Sequence, residues 1–282
     1  MNKPYADIPS EYSRNSTASI VIVPVPYDGT STWMKGAHKG PEALIDASAN
    51  MELYDIETDS EVYKNGIFTD VPVEENGSPE AMAHAVEKRI ASHLDQNRFT
   101  VVIGGEHSVS IGAIKAHAAR NSSLCVLQLD AHTDLRPEYH GSKYNHACVM
   151  SRAKELCPII QVGIRSMDAA EKEHVNPDTI FYADQLWSVT EWTRSILGCL
   201  TDSVYITLDL DVFDPSIMPS TGTPEPGGLA WYDVLYLLKK VFSTKEVVGF
   251  DIVELCPNSA NKAPDFLAAK LLYKMLSYKF TE

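Results

Sequence analysis

Short apolar runs alternate with stretches of helical periodicity from one end of the chain to the other. The runs at 20–23, 100–103, 124–130, 159–164, 180–182, 204–209 and 247–252 predict strands. Between them, 41–48, 78–94, 110–120, 190–200, 231–242 and 263–278 read as helices. Pro41 after Gly40 suits a first helical turn, where no amide hydrogen is needed. Ser78 ahead of Pro79 and Glu80 suits a helix start. Several runs, such as 101–103, are apolar at consecutive positions, as expected of strands covered on both faces. The alternation predicts one α/β domain over 1–282: a mostly parallel sheet with helices on both faces. The polar segment 1–19 reads as an N-terminal arm. No repeat, low-complexity tract or Gly/Ser-rich linker divides the chain.

Composition narrows the partners. The 282 residues carry 24 Lys plus Arg against 38 Asp plus Glu, a formal charge of -14. That balance disfavours nucleic acid, which needs a basic face, and is compatible with a small cation. No window approaches the ~20 apolar residues of a membrane span, and the N-terminus lacks a secretory pattern. The 5 cysteines are scattered, without a Cys-x-x-Cys pair, which points to a reduced, cytoplasmic chain. Cys125 and Cys148 read as small apolar filler.

The ends of the predicted strands hold the chemistry. Asp130, His132 and Asp134 follow one apolar run at alternate positions, and Asp209 and Asp211 follow another. In an extended chain, residues two apart share a side. The first trio is therefore expected to converge on one point and the Asp pair on another. Buried together, such carboxylates would repel each other severely without cations. His107, in Gly104-Gly105-Glu106-His107, also follows a strand and reaches the same rim. Four carboxylates and two imidazoles suit Mn²⁺, with Zn²⁺, Fe²⁺ or Co²⁺ possible by ligand type. Six ligands exceed one open catalytic ion and suit two, about 3.5–4 Å apart. Any one fragment alone is more often a turn or a cap; three together, each after a strand, point to a binuclear metallohydrolase. Its electrophile could be a phosphate, an amide or an amidine.

These motifs together resemble the ureohydrolase superfamily. The similarity runs through residues 104–108 (Gly-Gly-Glu-His-Ser), 130–134 (Asp-Ala-His-Thr-Asp) and 209–215 (Asp-Leu-Asp-Val-Phe-Asp-Pro). It continues through 218–224, Gly227-Gly228 and 251–254 (Asp-Ile-Val-Glu). The resemblance implies a three-layer arginase-like fold with about eight strands, two Mn²⁺ per chain, and hydrolysis of a guanidino group to urea and an amine. His107, Asp130, Asp134 and Asp209 would then serve one or both ions, with His132 and Asp211 completing the second. A hydroxide between the ions would attack the guanidinium carbon. Asp134 would orient it and help move its proton. His146 would shuttle protons, and Glu254 would pair with the guanidinium. Self-association as a trimer or hexamer is also implied.

Within the superfamily, the segment 135–145 resembles the agmatinase branch and lacks the residues that clamp an amino acid's carboxylate and amine in arginases. Agmatine, cleaved to putrescine and urea, is the substrate this implies. Other ureohydrolase activities are the alternatives: on guanidinobutyrate, whose carboxylate Arg136 or Lys143 could bind, on arginine, or on formiminoglutamate. A non-catalytic, metal-stabilised binding protein is the alternative of a different class. Asp214, before Pro215, reads as a turn residue, and Thr223 and Pro224 as loop scaffolding.

Overall fold

The computed structural model describes residues 3–186 and 188–281. Its centre is one 8-stranded sheet in which every pair is parallel. The strands are β1 (Ile20–Val25), β2 (Ile67–Thr69), β3 (Phe99–Gly104), β4 (Leu124–Leu129), β5 (Ile159–Ile164), β6 (Ile180–Tyr182), β7 (Ser203–Asp209) and β8 (Glu246–Val253). Their spatial order is β2-β1-β3-β8-β7-β4-β5-β6. The helices are α1 (Gly40–Ser48), α2 (Pro79–Leu94), α3 (Ser110–Ala118), α4 (Val149–Ala153), α5 (Val189–Cys199), α6 (Trp231–Thr244) and α7 (Ala263–Phe280).

Successive side chains of each strand feed opposite faces, so two cores form. Ile20 and Ile22 of β1 join Leu44 of α1, Ile196 of α5, Leu237 of α6 and Leu272 of α7. Val21, Val23 and Val25 join Met82 of α2, Ile111 of α3 and Val149 of α4. This is the expected three-layer arrangement, and it explains the unbroken apolar runs. The helix starts follow their residues: Ser78 Oγ accepts the Ala81 N–H at 3.1 Å, and Pro41 sits in the first turn of α1.

Four readings of the pattern change. Strand β2 is only 3 residues long and helix α4 only 5, too short for periodicity to reveal. The strand expected over 124–130 ends at Leu129, although the Asp130 N–H still donates to the Val162 carbonyl of β5 at 3.0 Å. The segment 3–19 packs down. Tyr5 is buried, its N–H donates to Thr69 Oγ1 at 2.8 Å, and its hydroxyl donates to the Ala269 carbonyl at 2.7 Å.

Candidate metal centre

The sheet order brings the motifs together. Adjacent strands β3, β8, β7 and β4 deliver, at or just past their carboxyl ends, His107, Glu254, Asp209 and Asp130. Parallel strands present those ends on one edge, where α/β sheets hold their ligands.

Two groups of ligand atoms form there. His107, Asp130 and Asp134 make one, and Asp130, His132 and Asp211 make the other, so Asp130 belongs to both. The convergence expected from spacing alone changes, while the division implied by the resemblance is seen: Asp134 falls in the first group and His132 in the second, Asp211 joins the second, and Asp209 belongs to neither group but lies 3.5 Å from His107 Nδ1. The backbone gives the reason. Strand-like pairing continues as far as His132, which bridges Ser166, but Asp134 sits at φ 51°, a left-handed conformation, with its carboxylate 3.0 Å from His107 Nδ1. Likewise Asp211 lies in a single helical turn, Leu210–Val212, not in a continuing strand.

His107 Nδ1 lies 3.0 Å from Asp134, 3.2 Å from Asp130 and 3.5 Å from Asp209. It is buried, yet makes no well-formed hydrogen bond. His132 Nδ1 lies 2.9 Å from Asp211 Oδ2. The carboxylates are oriented by backbone amides. Asp209 Oδ1 accepts the Asp211 N–H at 2.8 Å, Asp211 Oδ1 that of Ala131 at 2.9 Å, and Asp130 Oδ1 that of His132 at 2.6 Å. A buried imidazole nitrogen left without a partner among carboxylate oxygens fits a divalent cation, as does this mixed oxygen and nitrogen donor set. The residues present therefore suit two such ions.

Protonation follows from the crowding. Burial, then the neighbouring Asp130, raises the Asp134 carboxyl to about 7. Burial also raises Asp209, with Asp211 and Asp130 adding repulsion, and raises Glu254, with Glu106 adding to it. For His107, burial opposes the charged form, but Asp130 and Asp134 overcome it and raise the pKa well above the ordinary value. For His146 burial wins. Assisted by His107 and His132, it lowers the imidazole to about 4.

One rung below the rim lies a polar layer that crosses four strands. Asp251, Thr207, Gln128 and Gln161 are register partners on β8, β7, β4 and β5, and all are buried. Gln128 Nε2 donates to Asp130 Oδ2 at 2.7 Å, and Gln161 Nε2 to Gln128 Oε1 at 2.6 Å. His107 Nε2 bonds Thr207 Oγ1 at 2.9 Å, which leaves Nδ1 for the centre. The sequence reading assigned these residues no role. Their signal was a polar residue inside an apolar run.

A cavity of about 300 Å³ opens over the centre, lined by His146, Glu254, Thr223, Tyr139, Met167 and Arg136 among others. Thr223 thus faces the site as well as scaffolding its loop. Arg136 is engaged at its wall, 3.1 Å from Asp168 and stacked 4.4 Å from the Tyr139 ring. Lys143 is exposed and does not line the cavity. Asp214 holds a turn: its carboxylate accepts the N–H groups of Ser216, Gly227 and Gly228 at 3.0–3.2 Å. Arg165 fastens the same loop by donating to the carbonyls of Asp211 at 2.6 Å and Glu225 at 2.7 Å.

Known proteins share this arrangement. Residues 18–277 match the model of the arginase family. The N(1)-aminopropylagmatine ureohydrolase of Synechocystis sp. is 39% identical over 272 residues, covering 93% of this chain and 89% of that relative. The agmatinase of Pyrococcus horikoshii is 32% identical, covering 92% and 91%. Among solved structures, the agmatine ureohydrolase of Thermoplasma volcanium superposes with a TM-score of 0.88 at 30% identity, covering 99% of this chain and 94% of that one. The motifs at the sheet edge, the strand order behind them and these likenesses agree: the chain belongs to the arginase family and is a ureohydrolase of its agmatinase branch.

Proposed function

We propose that the chain, carrying two Mn²⁺, hydrolyses the guanidino group of an agmatine-type amine, releasing urea and the free amine. The observation that carries this reading is the pair of ligand groups sharing Asp130, with Glu254 in the same cavity. His107, Asp130, Asp134 and Asp209 would hold one ion, and Asp130, His132 and Asp211 the other. When bound, the ions acidify water and supply a nucleophile near neutral pH.

The side chains do the rest. Glu254 Oε1 is held by the His107 N–H at 2.8 Å, which leaves Oε2 to accept from a guanidinium. A carboxylate fixed at one oxygen and open at the other holds that planar cation over the centre. Asp134 orients the attacking water and takes its proton. His146 exchanges protons with the leaving amine and the bulk solvent. Its lowered pKa makes it an acceptor when neutral and a strong donor once charged.

The far end of the substrate is read as cationic. Asp168 and Glu171 line the cavity, Glu225 lies 3.9 Å from His132 Nε2, and Arg136, the one Lys or Arg among the described lining residues, is already paired with Asp168. Relatives 39% identical are named for N(1)-aminopropylagmatine, whereas the agmatinase of Pyrococcus horikoshii is 32% identical. This supports the aminopropyl-extended amine as preferred substrate, with agmatine itself as the shorter alternative. Comparing kcat/KM for N(1)-aminopropylagmatine, agmatine, guanidinobutyrate and arginine tests the reading. Both amines should exceed both carboxylates, and preference for a carboxylate would reject the cationic assignment. A self-associated assembly is proposed with it, to be measured by light scattering.

A further inference from the structure

The hydroxyl of Thr30 joins two functional regions of the chain. It lies 2.8 Å from Glu106 Oε1 and 3.0 Å from His146 Nδ1, and it accepts the backbone N–H of His146 at 3.0 Å. Glu106 is fully buried and meets donors on several sides: Thr30 N at 3.2 Å, Ser108 N at 2.8 Å and Ser108 Oγ at 2.9 Å. A hydroxyl has one proton and two acceptor sites. The Thr30 proton goes to the Glu106 carboxylate. Its acceptor sites receive the His146 backbone amide and, by elimination, a proton on His146 Nδ1. A neutral imidazole protonated at Nδ1 has a bare Nε2. That atom makes no hydrogen bond among the described residues, and its ring lines the cavity beside Glu254.

The segment bearing Thr30 is fastened in place. Gly105 and Glu106 donate their N–H groups to the carbonyls of Val25 and Tyr27 at 2.8 and 2.9 Å. A Cβ on Gly105 would lie 1.9 Å from that Tyr27 oxygen, so only glycine permits this approach. The loop after β1 is thereby locked against the strand end that supplies His107.

We propose that Thr30, backed by Glu106, is a positioning residue that fixes the tautomer and direction of His146, presenting Nε2 as the proton-exchanging atom of the cavity. This deepens the guanidino-hydrolase reading and rests on it for its catalytic meaning. Nε2 takes and returns the proton. The Nδ1–H to Thr30 and Thr30 to Glu106 bonds persist in both states, so no proton travels along them. When His146 is charged, the Glu106 carboxylate favours that charge through the hydroxyl.

Two measurements test this. In the full chain, loaded with diamagnetic Zn²⁺ and labelled with ¹⁵N-histidine, the His146 signals are identified by their loss in His146→Asn. A protonated Nδ1 and bare Nε2 are expected, and Thr30→Val should shift the population toward the other tautomer. A protonated Nε2 in the parent chain, or an unchanged spectrum in Thr30→Val, overturns the proposal. With Mn²⁺, Thr30→Val should lower kcat roughly 10-fold. Metal content and KM should hold, and Thr30→Ser should restore the rate. In the His146→Asn background, Thr30→Val should cost nothing further, since both act through one ring. Additive losses would place the effect elsewhere and reject it. A parent chain that hydrolyses no guanidino compound would defeat the functional reading instead, while the tautomer measurement would still decide how Thr30 holds His146.

Discussion

Thr207 and Asp251 face each other on adjacent strands, and the threonine hydroxyl donates to Asp251 Oδ1 at 2.7 Å. Because that proton is committed, Thr207 can only accept from His107 Nε2, which turns the other ring nitrogen toward the carboxylates. Partners of this kind fix a ligand's tautomer and raise its basicity. Thr207→Val and Asp251→Asn should each weaken Mn²⁺ affinity about 10–100-fold. Chelator competition measures this. Unchanged affinity in both would show that His107 needs no such support.

Glu254 should behave differently. Glu254→Gln keeps an oxygen for the His107 N–H but removes the charge that meets the guanidinium. Metal content should stay at the parent level while kcat/KM falls roughly 10²-fold, about the worth of a charge-assisted hydrogen bond. Elemental analysis beside steady-state kinetics separates the two. Loss of metal would make Glu254 a ligand.

Acidity and metal loading are linked. The Asp134 carboxyl is raised from 3.8 to about 7, and Asp209 and Glu254 are raised as well. A carboxyl raised on folding contributes stability that is complete below its unfolded value and lost as pH climbs through its folded value. For Asp134 that loss runs from 3.8 to about 7 in the metal-free chain. Cations replace the protons, so their affinity strengthens over the same range. The gap in Tm between Mn²⁺-loaded and metal-free protein should therefore widen between about pH 5 and pH 8. Scanning fluorimetry across that range is the check; a constant gap would mean that these carboxylates do not bind the ions.

Far from the centre, Lys274 of α7 is buried 3.0 Å from Asp55 and 2.5 Å from Glu57, and Tyr278 donates to Glu57 at 2.7 Å. Lys274→Met leaves the buried Asp55 without its cation. Stability should drop by about 3 kcal/mol. Metal content should be untouched. Denaturant melts would show a lowered midpoint, and an unchanged one would mean that solvent already screens the pair.

Much of this was legible in the sequence because burial on both faces gives unbroken apolar runs, and because the ligands cluster just beyond them. Strand β2 was hidden: Ile67, Phe68 and Thr69 are too few to show a period. The division of Asp130, His132 and Asp134 between two points was hidden from the spacing, and only the resemblance implied it. It depends on the left-handed turn at Asp134, and Asp is not a residue that announces such a conformation as Gly does. Thr30 lies 76 positions before Glu106 and 116 before His146, so only the folded chain reveals that one hydroxyl joins them. The polar rung through Asp251, Thr207, Gln128 and Gln161 could have been suspected, since a polar side chain within an apolar strand needs a buried partner.

The most direct test of the functional assignment is to incubate the Mn²⁺-loaded chain with N(1)-aminopropylagmatine and with agmatine, and to identify every product by mass spectrometry. Urea and the matching free amine in equal amounts are expected, with the metal-free chain inert. Intact substrate from both compounds, or ammonia released in place of urea, would contradict it.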